Sequence, residues 1–423
     1  MNNTNFKSTG ANLLSTSSLV ETPFITVEIE GHVFGKYTGG KSGVKTQFPN
    51  YIESLEIMKI NGSVNTYTLT LVYPLQPGND PNMFEKVFGH ASTTRKMKLS
   101  YGDYSVSNQV FRNEEAIITE VRSNVDFRNG CLRYTVKGTS TGIGLLAGTH
   151  NFSARYAKPS TIIKEIIDDQ TFGVAKVLPG MANSSRLMLN NMLATDDKPV
   201  QIEAKQGMST LDYLNYLTRC MAPESGTSGV YKMAVVDDMD SEFGGAYFKV
   251  IKAGNDGTTN DSLDTYQIDI GYPDASPVID FSLNNSETPS ILFDYANTIN
   301  STDYSYNIDS NGKLAEIYAP AISNSATLMR STAFNENWWQ VATSFPVTAT
   351  LTIRGLLRPS ILCSYVRLNV VFFGNESVYS GLYIITKQID TINTSGFKTT
   401  LSLLRIDGDA SMQSVNISNT LAF

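Results

Sequence analysis

Apolar and polar residues alternate with period two along Phe24–Glu30 and again along Ser54–Ile60. That spacing turns one face of a strand to a core and the other to water. Asn61-Gly62 follows the second run, a strong signal for a two-residue hairpin turn because both residues accept positive φ. Val64–Tyr73 then reads as the returning strand. A turn cluster from Pro74 to Pro81 leads to a short amphipathic helix carrying Met83, Phe84, Val87 and Phe88, and strand patterns resume at Lys96–Tyr101, Glu115–Val121 and Leu132–Gly138. Residues 23–152 are therefore expected to form an antiparallel barrel or sandwich.

After residue 152 helical spacing enters. Pro159-Ser160 opens a helix whose Ile162, Ile163, Ile166 and Ile167 fall on one stripe. Ser209–Cys220 predicts a second helix, with Ser209 as N-cap, Asp212 in a capping-box position, Leu211, Leu214 and Leu217 facing inward, and Pro223 as its stop. A strand pair, Gly229–Val236 and Ala246–Ile251, is joined by an acidic loop. Residues 254–337 mix short strands with Asn/Ser/Thr-rich connections and yield no assignable order. Strong strands then return at Thr348–Arg354, Tyr365–Phe373, Gly381–Thr386 and Phe397–Arg405, which predict a second antiparallel barrel.

The expected organisation is mainly β with an α+β insert: an N-terminal arm (1–22), a first barrel (23–152), a middle α+β region (153–342), a second barrel (343–408) and a Ser/Asn-rich tail (409–423). The arm offers little apolar surface to bury, so it is expected to order only against a partner.

Composition sharpens this picture. Of the 423 residues, 17% are charged, against about 25% in an ordinary soluble protein, and Ser, Thr, Asn, Gly and Tyr fill the polar positions. The formal charge is −7, so no global basic field exists to hold a polyanion. Cys131, Cys220 and Cys363 lie far apart with no C-x-x-C pair, which points to reduced thiols in a chain made in a cytoplasm. Residues 1–18 have neither the basic flank nor the apolar run of a signal peptide, and no stretch of about eighteen apolar residues predicts a membrane helix.

The sharpest motif is Gly35-Lys36-Tyr37-Thr38-Gly39-Gly40-Lys41-Ser42, which meets the spacing of a phosphate-cradling loop. That loop works only if a helix begins near Lys41. Gly43, Pro49 and the alternation from Tyr51 onward oppose one, so the segment reads as a glycine-rich hairpin loop that orders on assembly. His32, His90 and His150 are isolated, with no second ligand at metal-binding spacing. Glu114-Glu115 and Asp168-Asp169 are adjacent pairs read as solvated charges rather than as an acid and a base. Asp237, Asp238, Asp240 and Glu242 lack the alternation of a calcium loop. Gly142–Gly148 misses the dinucleotide spacing, and Trp338-Trp339 reads as a core plug or interface anchor before a sugar platform. No catalytic, cofactor-binding or metal-binding residue is assigned, and no enzyme is expected.

Two passages carry a family resemblance. Ile60–Pro81, with the helix and Tyr101-Gly102-Asp103 behind it, and Ser380–Arg405 both resemble the tail hub proteins of tailed bacteriophages, a group that includes the N-terminal parts of type VI secretion spike proteins. The helix Ser209–Cys220 followed by Ala246–Ile251 is similar to the hub's small middle domain, and the order of parts matches over residues 23–408. Where this chain has Asp390 the family usually has a histidine. The resemblance implies a structural virion protein of the baseplate: two tube-like barrels per chain, assembled as a homotrimer whose six barrels make a pseudo-sixfold ring. Such a ring joins a sixfold tail tube to a threefold spike and encloses the channel for genome ejection. The implied partners are further copies of the chain, the tail tube protein, the central spike protein and other baseplate or tail-fibre proteins, with DNA only passing through and no membrane. Another baseplate component, such as a receptor-binding or wedge protein, is the alternative.

Overall fold

The structure is a computed structural model that describes residues 6–8, 23–35, 51–77, 82–89, 95–103, 110–140, 148–168, 188–189, 197, 199–221, 229–238, 245–254, 265–270, 278–285, 305–308, 314–318, 347–356, 362, 365–372, 375–377 and 379–405. The head of the chain contributes β1 (Phe6–Ser8), β2 (Pro23–Ile29), β3 (His32–Gly35), β4 (Ile52–Ile60), β5 (Thr66–Pro74), β6 (Lys96–Asp103), β7 (Val110–Asp126) and β8 (Cys131–Ser140), with a helix at Met83–Phe88. The middle contributes β9 (Thr149–Phe152), β10 (Arg155–Ala157), β11 (Met188–Leu189), β12 (Val200–Ile202), β13 (Lys205–Ser209), β14 (Gly229–Asp238) and β15 (Gly245–Gly254), with helices at Pro159–Asp168 and Thr210–Cys220. There follow β16 (Thr265–Ile270), β17 (Val278–Asn285), β18 (Ser305–Ile308), β19 (Leu314–Tyr318), β20 (Val347–Arg354), β21 (Tyr365–Phe372), β22 (Asn375–Glu376), β23 (Gly381–Asn393) and β24 (Gly396–Arg405).

The molecule is mainly β, and head and tail strands belong to one 15-stranded sheet in the order β1-β16-β21-β23-β4-β5-β8-β7-β6-β2-β3, with β24, β20 and β17 branching from β23. Its pairs are antiparallel except β16 with β21. The expectation of two barrels flanking a middle region is met in part: the two β regions belong to one sheet, and no barrel closes by hydrogen bonds among the described strands. The reason lies in β23, which is 13 residues long. It pairs with β24 from Tyr383 to Asn393 along one edge, while its other edge serves β21 at Gly381–Ile384 and then β4 at Lys387–Asn393. A bulge between Ile385 and Lys387 marks the change of neighbour. A strand longer than its own module leaves an edge, and another chain segment covers it.

Alternation sets which side chains enter the core. On β5 Tyr67, Leu69, Leu71 and Tyr73 are buried while the residues between them are half-buried. The sheet curls until Tyr101 on β6 meets Phe397 on β24 edge to face, ring centroids 5.9 Å apart. Ile392 and Phe397 thus join the same core as Val27, Phe34, Leu55 and Val136. Gly355 abuts this closure, since a Cβ there would lie 2.1 Å from the Phe397 ring. The Met83–Phe88 helix plugs the open end of the curl: Phe84 is fully buried, stacks on Phe34 at 5.7 Å and meets Tyr73 edge-on at 5.3 Å.

In the middle region the helix expectations hold. Ser209 Oγ accepts from Asp212 N at 3.1 Å, and Leu211, Leu214 and Leu217 are buried. Ile162, Ile163 and Ile166 form the buried stripe of the Pro159–Asp168 helix. A contact invisible in the local sequence fixes that helix start: the buried Asp197 accepts from Ser160 N at 2.9 Å and from Ser160 Oγ at 2.6 Å. A carboxylate there satisfies amide donors and opposes the helix dipole. The residues expected to resist assignment include β16 and β17, both of which join the main sheet.

Phe84→Ala would remove the plug and leave a cavity that its stacked neighbours cannot refill. A stability loss of ~3–5 kcal/mol is expected, read as a lower urea midpoint by circular dichroism.

Candidate functional site

The place where head and tail join is also where the core stops being apolar. Seven residue pairs, Lys387↔Ile60 through Asn393↔Ser54, bind β23 to β4. Inward-facing positions on β4 are Leu55, Ile57 and Lys59, and on β23 they are Gln388, Asp390 and Ile392. Lys59, Gln388 and Asp390 are each 0% exposed, and Glu114 on β7 only 2%. Charged groups at such depth persist only when paired and hydrogen-bonded.

Each of them is. Lys59 Nζ donates to Glu114 Oε1 at 2.9 Å, Tyr101 OH donates to the same oxygen at 2.7 Å, and Tyr67 OH donates to Glu114 Oε2 at 2.8 Å. Gln388 Nε2 donates to Asp390 Oδ2 at 2.8 Å and Thr399 Oγ1 to Asp390 Oδ1 at 2.7 Å, while Leu356 N donates to Thr399 Oγ1 at 3.0 Å. The cluster thus ties together β4, β5, β6 and β7 from the head with β23 and β24 from the tail. Burial pushes the Asp390 carboxyl up to about 6; the Lys59 charge and the Thr399 and Gln388 hydrogen bonds draw it down, and the Glu114 charge adds to the rise.

A second tie lies at the adjoining turn. Asn61 N donates to Thr386 O at 3.0 Å, and Thr386 is the residue that the β23 bulge leaves outside the β24 ladder. Gly62, at φ +71°, offers its carbonyl to Asn215 Nδ2 of the Thr210–Cys220 helix at 2.6 Å. The expected two-residue turn is therefore widened to Asn61–Asn65, because its polar groups serve the tail strand and the middle helix. Head, middle and tail meet at this one turn.

The sequence motifs are not drawn together here. Gly35 ends β3 at φ +91°, where a Cβ would strike the Ile25 carbonyl; Lys36–Ser42 lie outside the described residues. His32 sits at the β2–β3 turn and His150 on β9 beside Phe152, while His90 lies outside the described residues, as do Asp169, Asp240, Glu242, Cys363, Trp338, Trp339 and the glycines from 142 to 144. Asp168 closes a helix, Asp237 and Asp238 close β14, and Cys131 and Cys220 are buried free thiols. Among the described residues no group of three His, Cys, Asp or Glu side chains is placed to hold a metal, and no helix is long and apolar enough to cross a membrane.

One reading changes. Glu115 is a surface charge paired with Lys96, but Glu114 is no solvated charge; it is the buried centre of the cluster. Strand alternation already put the two on opposite faces, and the missing signal was the inward lysine at Lys59. Asp390, in the passage that carries the resemblance, is a buried acceptor for two side chains.

The pH dependence follows from the raised Asp390 value. The folded state holds this proton more tightly than the unfolded chain does, so the stability it contributes is complete below pH ~4 and is lost as pH rises through about 6. Asp390→Asn should abolish that component, ~3 kcal/mol across the window, seen as the difference between wild-type and variant urea curves at pH 4 and pH 7. Lys59→Met should cost ~3–5 kcal/mol by stranding the Glu114 carboxylate. Lys59→Met with Glu114→Gln should cost less than the single change, a coupling that a double-mutant cycle measures.

No protein-family model matches the sequence, and no curated protein does. Solved structures do match in fold. The 43 kDa tail protein of prophage MuSo2 from Shewanella oneidensis aligns over 92% of this chain and 98% of its own at 12% identity, TM-score 0.50. The tail protein from Neisseria meningitidis MC58 aligns over 92% and 99% at 10% identity, TM-score 0.48. An Escherichia coli component of the type VI secretion system, described as structurally similar to T4 bacteriophage tail proteins gp27 and gp5, aligns over 90% and 76% at 9% identity, TM-score 0.42. With nearly the whole length of both chains superposed, this chain has the fold of the MuSo2 prophage tail protein.

Proposed function

We propose that the chain is a structural tail protein of a bacteriophage virion, a tail hub that acts as a homotrimer and not as an enzyme. In this reading its head and tail β regions, residues 23–152 and 343–408, are the two tube-like modules, the middle region 153–342 braces them, and the arm 1–22 and tail 409–423 engage neighbours. Three copies then give six β modules in a pseudo-sixfold ring between the sixfold tail tube and the threefold spike. DNA passes through the ring, and the complex is put together in the host cytoplasm.

One observation carries the reading: β4 of the head and β23 of the tail pair edge to edge, so two β regions of one chain stand side by side as consecutive parts of one sheet. A ring needs this repeated. The same kind of edge pairing or packing between copies closes it, since heterologous contacts close when the rotation is a whole fraction of a turn. The fold likeness to a prophage tail protein supports it, and the acidic chain, at −7, suits a bore that DNA must not adhere to.

Electron-microscopic averaging of tails that carry this chain should show three copies around the tail axis at the junction of tube and spike. A position off the axis, or a copy number that is not three, would overturn the reading.

A further inference from the structure

The polar cluster at the seam holds a primary amine, Lys59, and two carboxyl groups, Glu114 and Asp390, in a core where Lys59 and Asp390 are fully buried and Glu114 nearly so. An amine and a carboxyl group shut away from water are the two halves of an amide. A further carboxylate beside them is the base and acid that joining them needs. Strand register sets the reacting pair side by side. Lys59 on β4 pairs with Gln388 and Asp390 on β23 pairs with Ile57, so Lys59 and Asp390 are diagonal neighbours across an antiparallel pair, both facing inward. Diagonal neighbours on one face lie about 7–8 Å apart, within reach of a long side chain. The charges of Lys59 and Glu114 both act on the Asp390 carboxyl, which places the three in one pocket.

Each group is held for its part. Lys59 Nζ donates to Glu114 Oε1 at 2.9 Å, so a proton acceptor already sits on the nucleophile. A core that disfavours separated charges favours passing that proton to Glu114, which leaves a free amine. Tyr67 OH and Tyr101 OH, at 2.8 and 2.7 Å, fix the Glu114 carboxyl in place. Asp390 is the electrophile. Burial pushes its carboxyl up to about 6, so the un-ionised acid, the form an amine attacks, is present at and below neutral pH. Thr399 Oγ1, itself held by Leu356 N, donates to Asp390 Oδ1 at 2.7 Å, and Gln388 Nε2 donates to Oδ2 at 2.8 Å. Donors so placed stabilise the negative charge that gathers on a carboxyl under attack.

We propose that Lys59 Nζ and Asp390 Cγ condense to an isopeptide bond that ties head to tail covalently. Glu114 takes a proton from the Lys59 ammonium, and the freed amine pair attacks Cγ, forming the C–N bond while the carbonyl pair moves to Oδ1. Glu114 returns that proton to Oδ2, which already carries the acid proton. The Cγ–Oδ2 bond then breaks and releases water as the Oδ1 pair re-forms the carbonyl. Glu114 finally takes a second proton from the nitrogen and keeps it: the amide retains one proton, the water carries two and Glu114 holds the last. The three groups end without a buried charge, which with the loss of water from a dry core favours the product. The Asp390 titration described above belongs to the chain before this step. The bond stands on the seam alone and holds whether or not the chain is a tail hub.

The test is intact mass spectrometry of the purified, denatured full chain, followed by tryptic digestion and fragment sequencing. A mass one water below that of the linear chain is expected, with the peptide that contains Lys59 joined to the peptide that contains Asp390. The full linear mass overturns the proposal. So does a loss of water without the joined peptides, which an aspartyl succinimide would give. The unaltered chain decides the matter whatever the variants do to folding. Lys59→Met and Asp390→Ala should each restore the linear mass. Glu114→Gln keeps both reacting groups and should slow joining after refolding at least about a hundredfold; an unchanged rate overturns the part given to Glu114.

Discussion

Everything in this molecule depends on the pairing of β4 with β23, two strands more than 300 residues apart in the chain, as the Asn61–Ile385 contact at a separation of 324 shows. Closing so long a loop costs entropy that grows only slowly with length, so backbone bonds and core burial at the seam can offset it. The seam is nevertheless not the greasiest part of the core. Lys59, Glu114, Asp390, Gln388 and Thr399 occupy inward positions that hydrophobic side chains of similar volume could fill.

Such a cluster adds little net stability, because desolvation consumes most of the Coulombic gain. Its physical effect is on alternatives. Sliding β23 by one residue against β4 would turn Gln388 and Asp390 outward and bring Ile389 and Thr391 in, breaking the bond from Thr399 to Asp390. The bulge at Thr386 works in the same direction, since its freed carbonyl accepts from Asn61 N only in the observed alignment.

The same seam sets the two ends of the sheet apart in space. At one end, the Asn61–Gly62 turn holds the middle helix through Asn215, and β8 leaves toward the middle strands. At the other lie the β7–β8 turn, with Phe127 exposed, and the Thr394-Ser395 turn. A protein built as two hinged barrels would not hold those ends in a fixed relation.

Much was legible in the sequence because its cause is local. Period-two alternation marked β4, β5, β20 and β24, the Ser209 cap and leucine spacing marked the Thr210–Cys220 helix, and Gly62 marked a turn that needs positive φ. These follow from backbone sterics and the face each residue turns to water. What the sequence left open is which edges meet. Strand edges are hydrogen-bond donors and acceptors of the same kind everywhere, so nothing in 23–152 or 343–408 announces that their sheets merge. Only the assembled fold brings Lys59 to Glu114, because neither residue gains anything from being inward until the other is there. The arm, expected to order only against a partner, instead pairs Phe6–Ser8 with Tyr266–Ile268 of its own chain, an edge that no local pattern announces. Local pattern determined the strands; the free energy of covering their long edges and satisfying their buried charges decided the partners.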